Sequence, residues 1–325
     1  MKVVTRRDRC RLLIIATSMK IFVLSPNKDA VLTSELIETL KSIGEVVFCT
    51  TPTPLAEVPG LFDSDGEKIV ALDPDFCDWK ADTETITTIP GLKAVCLQST
   101  SFSWIDTNYL QEKGIPVTNL RGFSTEAVAE WALLMALSLA RKIPLVVKGG
   151  WNSDFVAYQG VELAGKTAAI IGLGRNGKRI AELAKGIGMN VMAWSHTSSV
   201  ENVDMVTLSE IFSKADVIFP CVADNIDTKK LITDDLLASM KPTAIFVSTI
   251  HLIYNHKLLL DMVKEGKLYG YGFEDDGPNF LKYDGNVWAS PQLAWATDGS
   301  MEKNGELWAE AIVLAAQGQF PTRIN

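Results

Sequence analysis

The segment from residue 167 to residue 195 constrains the fold of this chain more than any other part of the sequence. An apolar run over residues 167–171 leads into a GxGxxG motif whose glycines are Gly172, Gly174 and Gly177, and a helical pattern follows over residues 178–187. This spacing between a strand and a helix is typical of a dinucleotide-binding βαβ unit. Gly172 permits the tight turn, Gly174 lets the backbone approach a pyrophosphate, and Gly177 lets the helix pack closely on the strand.

The start of the following helix supplies further predicted cofactor contacts. Its free N–H groups and its dipole favour a negative charge, so the phosphates are expected beside Arg175 and Asn176. The next strand ends in Ser195, at the place where a carboxylate normally holds the ribose 2′-hydroxyl. Ser195, His196 and Thr197 can instead donate hydrogen bonds to a 2′-phosphate. The sequence therefore favours NADP slightly and leaves NAD open, because no arginine lies in this loop.

Alternating strand and helix patterns on both sides of this motif predict an α/β fold. Before it, short apolar runs bounded by polar or Gly/Pro positions predict buried strands at residues 20–25, 46–49, 68–72, 94–97 and 116–119. From the motif onward, similar runs cover residues 167–171, 190–194, 216–219, 244–247 and 268–273. Such an alternation is typical of parallel sheets covered by helices, here in two domains.

A long apolar helix separates the two series of strands. Ser124 is its predicted N-cap, the helix covers residues 127–143, and Pro144 stops it. A helix with so few polar positions is expected to be buried, joining two domains or two subunits. A final amphipathic helix is predicted at residues 301–317.

Composition and charge exclude several kinds of partner. A chain of 325 residues with a net charge of −8 is long enough for two cores and too acidic for a nucleic-acid partner. The apolar run at residues 12–16 is too short to span a bilayer, and residues 1–18 are interpreted as a flexible extension or a misplaced start. The five cysteines are scattered without CxxC spacing, which predicts free thiols, no metal site and a cytoplasmic location.

Several motifs in a fixed order carry a resemblance to a known family. They are VTN at 117–119, AVAE at 127–130, ELAGKT at 162–167, MKP at 240–242, GKLYG at 266–270, the segment 291–297, and GQFP at 318–321. With them the chain resembles the D-isomer-specific 2-hydroxyacid dehydrogenase family over residues 19–325. The resemblance implies an NAD(P)-dependent oxidoreductase that acts on the CH–OH group of a 2-hydroxy acid or reduces a 2-oxo acid.

The resemblance also implies the domain organisation and further contacts. A substrate domain with a flavodoxin-like sheet is expected from residues 19–120 and 296–325, and a doubly wound Rossmann domain from residues 121–295. A homodimer built largely around the long helix is expected as well. Three more cofactor contacts are implied at Thr228, Thr249 and Glu274, the last at the place of a family Asp near the nicotinamide amide.

The resemblance breaks at the catalytic residues. Family members use an Arg to bind the substrate carboxylate, a His to shuttle the proton and a Glu to hold that His. The Arg is replaced by His251, and the His that directly follows Pro291 is replaced by Gln292. No Glu stands at the third place, where Asp275 or Asp276 could substitute. Because a carboxamide cannot exchange a proton near pH 7, the usual proton shuttle is absent at position 292.

These substitutions leave more than one interpretation open. In the first, His251 becomes the acid/base, paired with Asp276 or its neighbour Asp275, while Gln292 orients the substrate. In the second, His251 only lines an inherited cleft, and the protein is a catalytically inactive NAD(P)-binding homologue that acts as a sensor or partner subunit. In the third interpretation, the protein is an enzyme that uses the same cleft for a different reaction without net reduction.

The predicted substrate contacts lie in two other segments. The family loop that binds the substrate carboxylate has lost its glycines to Ser99, Thr100 and Ser101, which can still bind an anion through hydroxyl and backbone N–H groups. Trp295 lies next to the expected active site and is the tryptophan predicted to contact the substrate. His256, at the start of a helix, is interpreted as solvent-facing.

Overall fold

The structure is a computed structural model that describes residues 19–196, 198–201, 203–223, 228–250, 253–275 and 282–325. In it the chain forms two compact units. The first contains the described residues up to Phe123 together with Met301–Asn325, and the second is Ser124–Ser300. The interpretations of residues 1–18 concern a segment outside the described residues.

The first unit is built on one parallel sheet. Its strands, within the described part of the chain, are β1 (Met19–Leu24), β2 (Glu45–Cys49), β3 (Glu67–Leu72), β4 (Leu92–Leu97) and β5 (Val117–Thr118). They lie in the order β2-β1-β3-β4-β5, and each neighbouring pair is parallel. This is the flavodoxin-like order, so the fold predicted for this part of the chain is confirmed.

Side chains from this sheet enter two separate cores. The helices of this part are α1 (Lys28–Val31), α2 (Ser34–Lys41), α3 (Thr83–Thr87) and α4 (Thr107–Glu112), with two 3-10 turns at Leu55–Glu57 and Pro74–Cys77. Because side chains alternate along a strand, Phe22 and Leu24 enter one core, whereas Ile21 and Val23 enter the other. The second core also contains Trp308, which is fully buried and donates from Nε1 to the Cys96 carbonyl at 2.9 Å.

The second unit contains a larger parallel sheet. Its described strands are β6 (Thr167–Ile171), β7 (Asn190–Trp194), β8 (Asp204–Met205), β9 (Val217–Pro220), β10 (Ile245–Ser248), β11 (Gly270–Glu274) and β12 (Val287–Ser290). They lie in the order β12-β11-β10-β9-β6-β7-β8. From β6 the chain adds strands first on one side, starting with β7, and then on the other side, starting with β9. This doubly wound order confirms the predicted Rossmann fold.

The remaining helices are α5 (Thr125–Ala140), α6 (Ile143–Lys148), α7 (Arg175–Gly186), α8 (Leu208–Lys214), α9 (Asp234–Ala238), α10 (His256–Lys264) and α11 (Asp298–Ala316). The strands β8 and β12 have no counterpart in the predicted pattern. β8 is only two residues long and both are exposed, so it has no apolar signature. None of the described helices combines the length and the apolar character needed to cross a membrane.

The long apolar helix differs from its prediction in three ways. Ser124 is the N-cap residue as predicted, but its side chain makes no capping hydrogen bond among the described residues. The helix α5 ends at Ala140, and Lys142, with φ of 54°, separates it from α6. Pro144 lies in the first turn of α6, where a missing N–H group costs no hydrogen bond. Leu134 and Leu137 are exposed, so the helix is buried on one face only.

Candidate functional site

The glycine-rich turn between β6 and α7 has two positions that only glycine can occupy. Gly172 has φ of +101°, and a Cβ there would lie 2.8 Å from Val222 Cγ1 and 3.0 Å from the Cys221 carbonyl oxygen. A Cβ on Gly177 would lie 2.0 Å from the Gly172 carbonyl oxygen. The distances of 2.8 Å and 2.0 Å are shorter than real contacts of a Cβ atom. The packing roles predicted for these two glycines therefore match the geometry of the turn.

Gly174 differs from them, because no atom of the described residues requires a glycine there. It is the N-cap of α7, with φ of −71° and ψ of −168°, a conformation open to any residue. A Cβ there would meet nothing within 4 Å. The first helical bond runs from the Lys178 N–H to the Gly174 carbonyl at 3.0 Å, so the N–H groups of Arg175, Asn176 and Gly177 have no acceptor inside the helix. This open, uncapped helix start fits the pyrophosphate of a dinucleotide.

A cavity of about 250 Å³ lies at the carboxyl ends of β6, β7 and β9. This is where the strand order reverses, the usual place of a nucleotide in such sheets. It brings together five of the predicted cofactor residues, Gly172, Gly174, Ser195, His196 and Thr228. It also contains Ser198, which follows the predicted ribose contacts in the same loop. The other lining residues were not predicted and are Leu173, Trp194, Cys221, Val222, Ala223 and Leu231.

The wall formed after β7 carries the predicted ribose contacts. Ser195 is half-buried and His196 is exposed, with the His196 ring 4.6 Å from that of Trp194 between centroids. Across the cavity, Thr228 donates from its hydroxyl to the Ala223 carbonyl at 2.5 Å. Thr197 lies outside the described residues. The described part of this wall thus offers hydroxyl and imidazole groups, and no carboxylate lines the described cavity.

The carboxyl ends of β10, β11 and β12 carry the remaining predicted residues of this unit. Thr249 directly follows β10 and is half-buried. Glu274 ends β11, and Gln292 lies two residues beyond β12. The two residues expected to form the acid/base pair, His251 and Asp276, lie outside the described residues.

Glu274 holds the turn that contains Gln292 and Trp295. Its Oε1 accepts a hydrogen bond from the Ala294 N–H at 2.7 Å. Burial raises the pKa of this carboxyl, and the backbone N–H groups of Ala294 and Leu293 oppose that rise. Gln292 is exposed, and Trp295 is 42% exposed, which leaves both side chains accessible to a ligand.

Asp275 has a partner that the sequence did not indicate. Its Oδ2 accepts a hydrogen bond from the Tyr283 hydroxyl at 2.6 Å. Burial, together with the bond and charge of Asp275, raises the pKa of Tyr283 to about 12, so this tyrosine is neutral at physiological pH. The carboxylate of Asp275 is therefore engaged in a fixed contact.

His256 was predicted to face solvent, and that prediction is wrong. It is half-buried, its Nδ1 lies 2.9 Å from the Tyr271 hydroxyl, and its ring packs 4.5 Å from that of Phe273. Tyr271 in turn donates to the Tyr254 hydroxyl at 3.1 Å. Burial lowers the pKa of His256, although the charge of Asp275 opposes this shift. The period of α10 did not reveal the contact, because its partner lies on β11.

The predicted carboxylate-binding loop lies in the first unit, after β4. Ser99 is buried and donates from its hydroxyl to the Ser101 carbonyl at 2.6 Å. The Asn119 side-chain amide donates to the Thr100 carbonyl at 2.7 Å, and Trp104 Nε1 donates to the Ser101 carbonyl at 2.9 Å. With the carbonyls held in this way, the exposed Thr100 and Ser101 present hydroxyl and N–H groups, which suit an anion.

Comparison with known proteins supports what the geometry indicates. A family model described as the NAD binding domain of D-isomer specific 2-hydroxyacid dehydrogenase matches residues 133–293. The chain is 30% identical over 266 residues to a glyoxylate reductase of Thermococcus litoralis, which covers 75% of this chain and 80% of that protein. It is 33% identical over 261 residues to a D-3-phosphoglycerate dehydrogenase of Archaeoglobus fulgidus, covering 75% of this chain and 49% of that one.

A solved structure gives the same result over more of the chain. An acyclic imino acid reductase in complex with NADPH and D-Arg matches with a TM-score of 0.80 at 26% identity, covering 94% of this chain and 100% of that chain. The glycine turn, the cavity beside it and these relatives agree on the cofactor. The chain belongs to the D-isomer-specific 2-hydroxyacid dehydrogenase family, whose members are oxidoreductases, and its cofactor is NAD or NADP.

Proposed function

We propose that this protein is an NAD(P)-dependent oxidoreductase that interconverts a 2-oxo acid and a 2-hydroxy acid with a nonstandard catalytic set. The observation that carries the proposal is the open helix start at Gly174 beside the cavity of the second unit. A bound dinucleotide supplies or accepts the hydride, and the protein binds, orients and protonates the substrate. Because a relative is named a glyoxylate reductase, glyoxylate is the first 2-oxo acid to test.

The substrate contacts are assigned to two segments. The loop of Ser99, Thr100 and Ser101 binds the substrate carboxylate through N–H and hydroxyl groups, in place of the arginine that this chain lacks. Trp295, partly exposed on the turn after β12, packs beside the substrate. Gln292, on the same turn, orients the reacting group by hydrogen bonding.

The acid/base role is assigned to His251, with Asp276 as its partner. Gln292 has no exchangeable proton near neutral pH, so another residue must serve. His251 is the histidine that the sequence places at the former arginine position. Asp276 is preferred over Asp275 as its partner, because Asp275 already accepts the hydrogen bond of Tyr283.

We also propose a preference for NADP. The cavity wall at Ser195 and His196 lacks the carboxylate that repels a 2′-phosphate, and its hydroxyl and imidazole groups can donate to one. Replacing Ser195→Asp places a negative charge there. We expect this variant to bind NADPH at least tenfold more weakly while NADH affinity stays the same or improves, as measured by fluorescence titration.

The proposal includes a homodimer in a reducing cytoplasm. In the second unit Leu134, Leu137, Trp151, Phe155 and Val156 are exposed, with Phe155 83% and Trp151 69% accessible. An apolar surface of this kind is typical of an interface, and a second copy of the chain is the partner that the family resemblance implies. The described cysteines Cys49, Cys77, Cys96 and Cys221 are free thiols, as suits a reducing compartment.

Gln292 also supports a second candidate function. A protein that binds the dinucleotide but cannot deliver a proton would act as a cofactor sensor or as a partner subunit. In that case the cavity beside Gly172 is retained, and the turn after β12 has no catalytic task.

One experiment separates the two functions. The purified protein is mixed with NADH or NADPH and a panel of 2-oxo acids, and absorbance at 340 nm is followed at neutral pH. Imino acids belong in the panel, because a solved relative is named an imino acid reductase. Turnover that disappears in His251→Ala supports the assigned acid/base, whereas cofactor binding without turnover on any compound contradicts the enzyme and favours the sensor.

A further inference from the structure

We infer that the preferred substrate is an imino acid, the C=N compound formed from a 2-oxo acid and an amine. The inference rests on the proposed function and narrows its substrate class. Its basis is the turn after β12, which holds a carboxamide, Gln292, at the place where the family resemblance implies a proton-donating His, so a ketone depends on His251 for its proton whereas a protonated imine does not. The structure shows that backbone hydrogen bonds hold this turn and that two acidic groups beside it, Glu274 and Asp275, already accept hydrogen bonds.

The position of Gln292 is defined by the backbone on both sides. Leu293 donates from its N–H to the Pro291 carbonyl at 2.8 Å, and Ala296 donates to the Leu293 carbonyl at 3.0 Å. Glu274 then ties the turn to β11 through the Ala294 N–H at 2.7 Å. These bonds hold the backbone from which the Gln292 side chain extends, as a positioning role requires.

The carboxamide of Gln292 suits an imine better than a ketone. Hydride addition to a ketone leaves an alkoxide oxygen, which must take a proton from an acid. A protonated imine carries that proton on its nitrogen before the reaction begins. It needs only an acceptor for its N–H group, and the amide oxygen of Gln292 is such an acceptor.

The acidic groups at this edge of the sheet act in the same direction. Glu274 ends β11 and Asp275 directly follows it. Glu274 accepts the Ala294 N–H, and Asp275 accepts the Tyr283 hydroxyl, so both serve as acceptors and neither is placed as a proton shuttle. Negative charge near the reacting group favours a cationic iminium over a neutral carbonyl.

The reaction balances without an external acid. One hydride, carrying two electrons, adds to the imine carbon while the dinucleotide is oxidised. The π electrons of the C=N bond become the lone pair of nitrogen, which keeps its proton. The product is a secondary amine, an N-substituted amino acid.

Turnover with and without an amine tests the inference. Glyoxylate, pyruvate and phenylpyruvate are each assayed with NADPH and NADH, alone and with methylamine, near pH 8. We expect at least a tenfold faster rate with methylamine and an N-methyl amino acid by mass spectrometry. An equal rate without amine, yielding the hydroxy acid, refutes the imine but leaves the proposed function standing. No turnover under either condition, despite cofactor binding, contradicts the proposed function itself.

A binding measurement tests the role of Gln292 independently of turnover. Calorimetry without added dinucleotide compares N-methylalanine with lactate. We expect the amino acid to bind roughly tenfold or more tightly, and Gln292→Leu to abolish that difference, since it removes a hydrogen bond to a charged group. Leu293→Ala, an exposed side chain on the same turn, is the matched control and should keep it. Equal binding of the two compounds to the unaltered protein refutes the role given to Gln292.

The reverse substitution gives a further check in the assay. Gln292→His introduces an exchangeable proton at the same place. We expect this variant to gain amine-independent reduction of the 2-oxo acid relative to the unaltered protein. If Gln292→His instead lowers the amine-dependent and amine-independent rates together, the proton is not what limits reaction with the 2-oxo acid, and the inference fails.

Discussion

Replacing Gly174 by alanine should separate cofactor binding from folding. The backbone at Gly174 has φ of −71°, and an added Cβ meets no atom within 4 Å, so Gly174→Ala places no strain on the protein. Removing a glycine from such a position stabilises a protein by roughly 0.4–1 kcal/mol through the unfolded state. The same methyl group stands where the backbone is expected to approach the pyrophosphate.

The loss of affinity follows from the bonds that the methyl group blocks. A hydrogen bond from a backbone N–H to a charged phosphate contributes roughly 1.5–3 kcal/mol. Losing one such bond corresponds to a dissociation constant raised about 10- to 150-fold. We therefore expect Gly174→Ala to bind NADPH or NADH at least tenfold more weakly while its unfolding midpoint in urea is unchanged or slightly higher.

Two other glycines provide matched controls. In Gly177→Ala the Cβ must move by about 1 Å to escape the Gly172 carbonyl, now 2.0 Å away, at a cost of roughly 1–3 kcal/mol of overpacking. That variant should lose stability and affinity together. In Gly186→Ala, at the other end of α7, the Cβ again meets nothing, so stability should rise by up to about 1 kcal/mol with affinity unchanged.

Two results would contradict this reasoning. If Gly174→Ala binds the dinucleotide as tightly as the unaltered protein, the ligand does not approach this turn. If Gly174→Ala instead unfolds as readily as Gly177→Ala, the conclusion that a Cβ fits at Gly174 without strain is wrong.

Three other predictions follow from single contacts. Lys68 is fully buried and donates to the Asp63 and Pro90 carbonyls. Replacing Lys68→Met should therefore lower the free energy of unfolding by roughly 2–4 kcal/mol. The control Lys93→Met removes an exposed lysine and should change that free energy by less than about 0.5 kcal/mol. Burial lowers the pKa of His256, so the unfolded chain binds a proton at this residue more readily than the folded protein does. The free energy of unfolding should therefore fall as pH drops below about 6.5. Urea titrations of His256→Asn should show a weaker dependence of that free energy on pH. Leu137→Glu places a charge on the exposed face of α5, and light scattering should then show a monomer; a persistent dimer contradicts the proposed interface.

The glycine turn could be predicted from the sequence because its determinants are local. Gly172 and Gly177 contact each other across five positions of the chain, and their conformations follow from backbone geometry alone. Most of the strands were predictable for the same reason, since they are short apolar runs, whereas β8 and β12 were not predicted. Pro144 shows the limit of such rules, because a proline that ends one helix also suits the first turn of the next.

The surroundings of the candidate catalytic residues could not be predicted in this way. Glu274 contacts Ala294 across 20 positions, and His256 contacts Tyr271 across 15 positions. Neither pair has a spacing that a strand or helix period would reveal. The first pair forms because parallel strands bring the carboxyl ends of β11 and β12 to one edge, and the second because α10 packs on β11. Only the three-dimensional arrangement therefore shows that these side chains are already engaged.

Gly174 is also relevant to the choice between the two proposed functions, an enzyme and a cofactor sensor. The packing of this turn requires glycine at positions 172 and 177, with or without a ligand. Folding does not require glycine at 174, where alanine fits without strain. A glycine at this place is therefore best explained by a ligand that approaches the turn. The sensor and the imine reductase share that requirement, so what distinguishes them is whether Gln292 accepts a hydrogen bond from a substrate that brings its own proton.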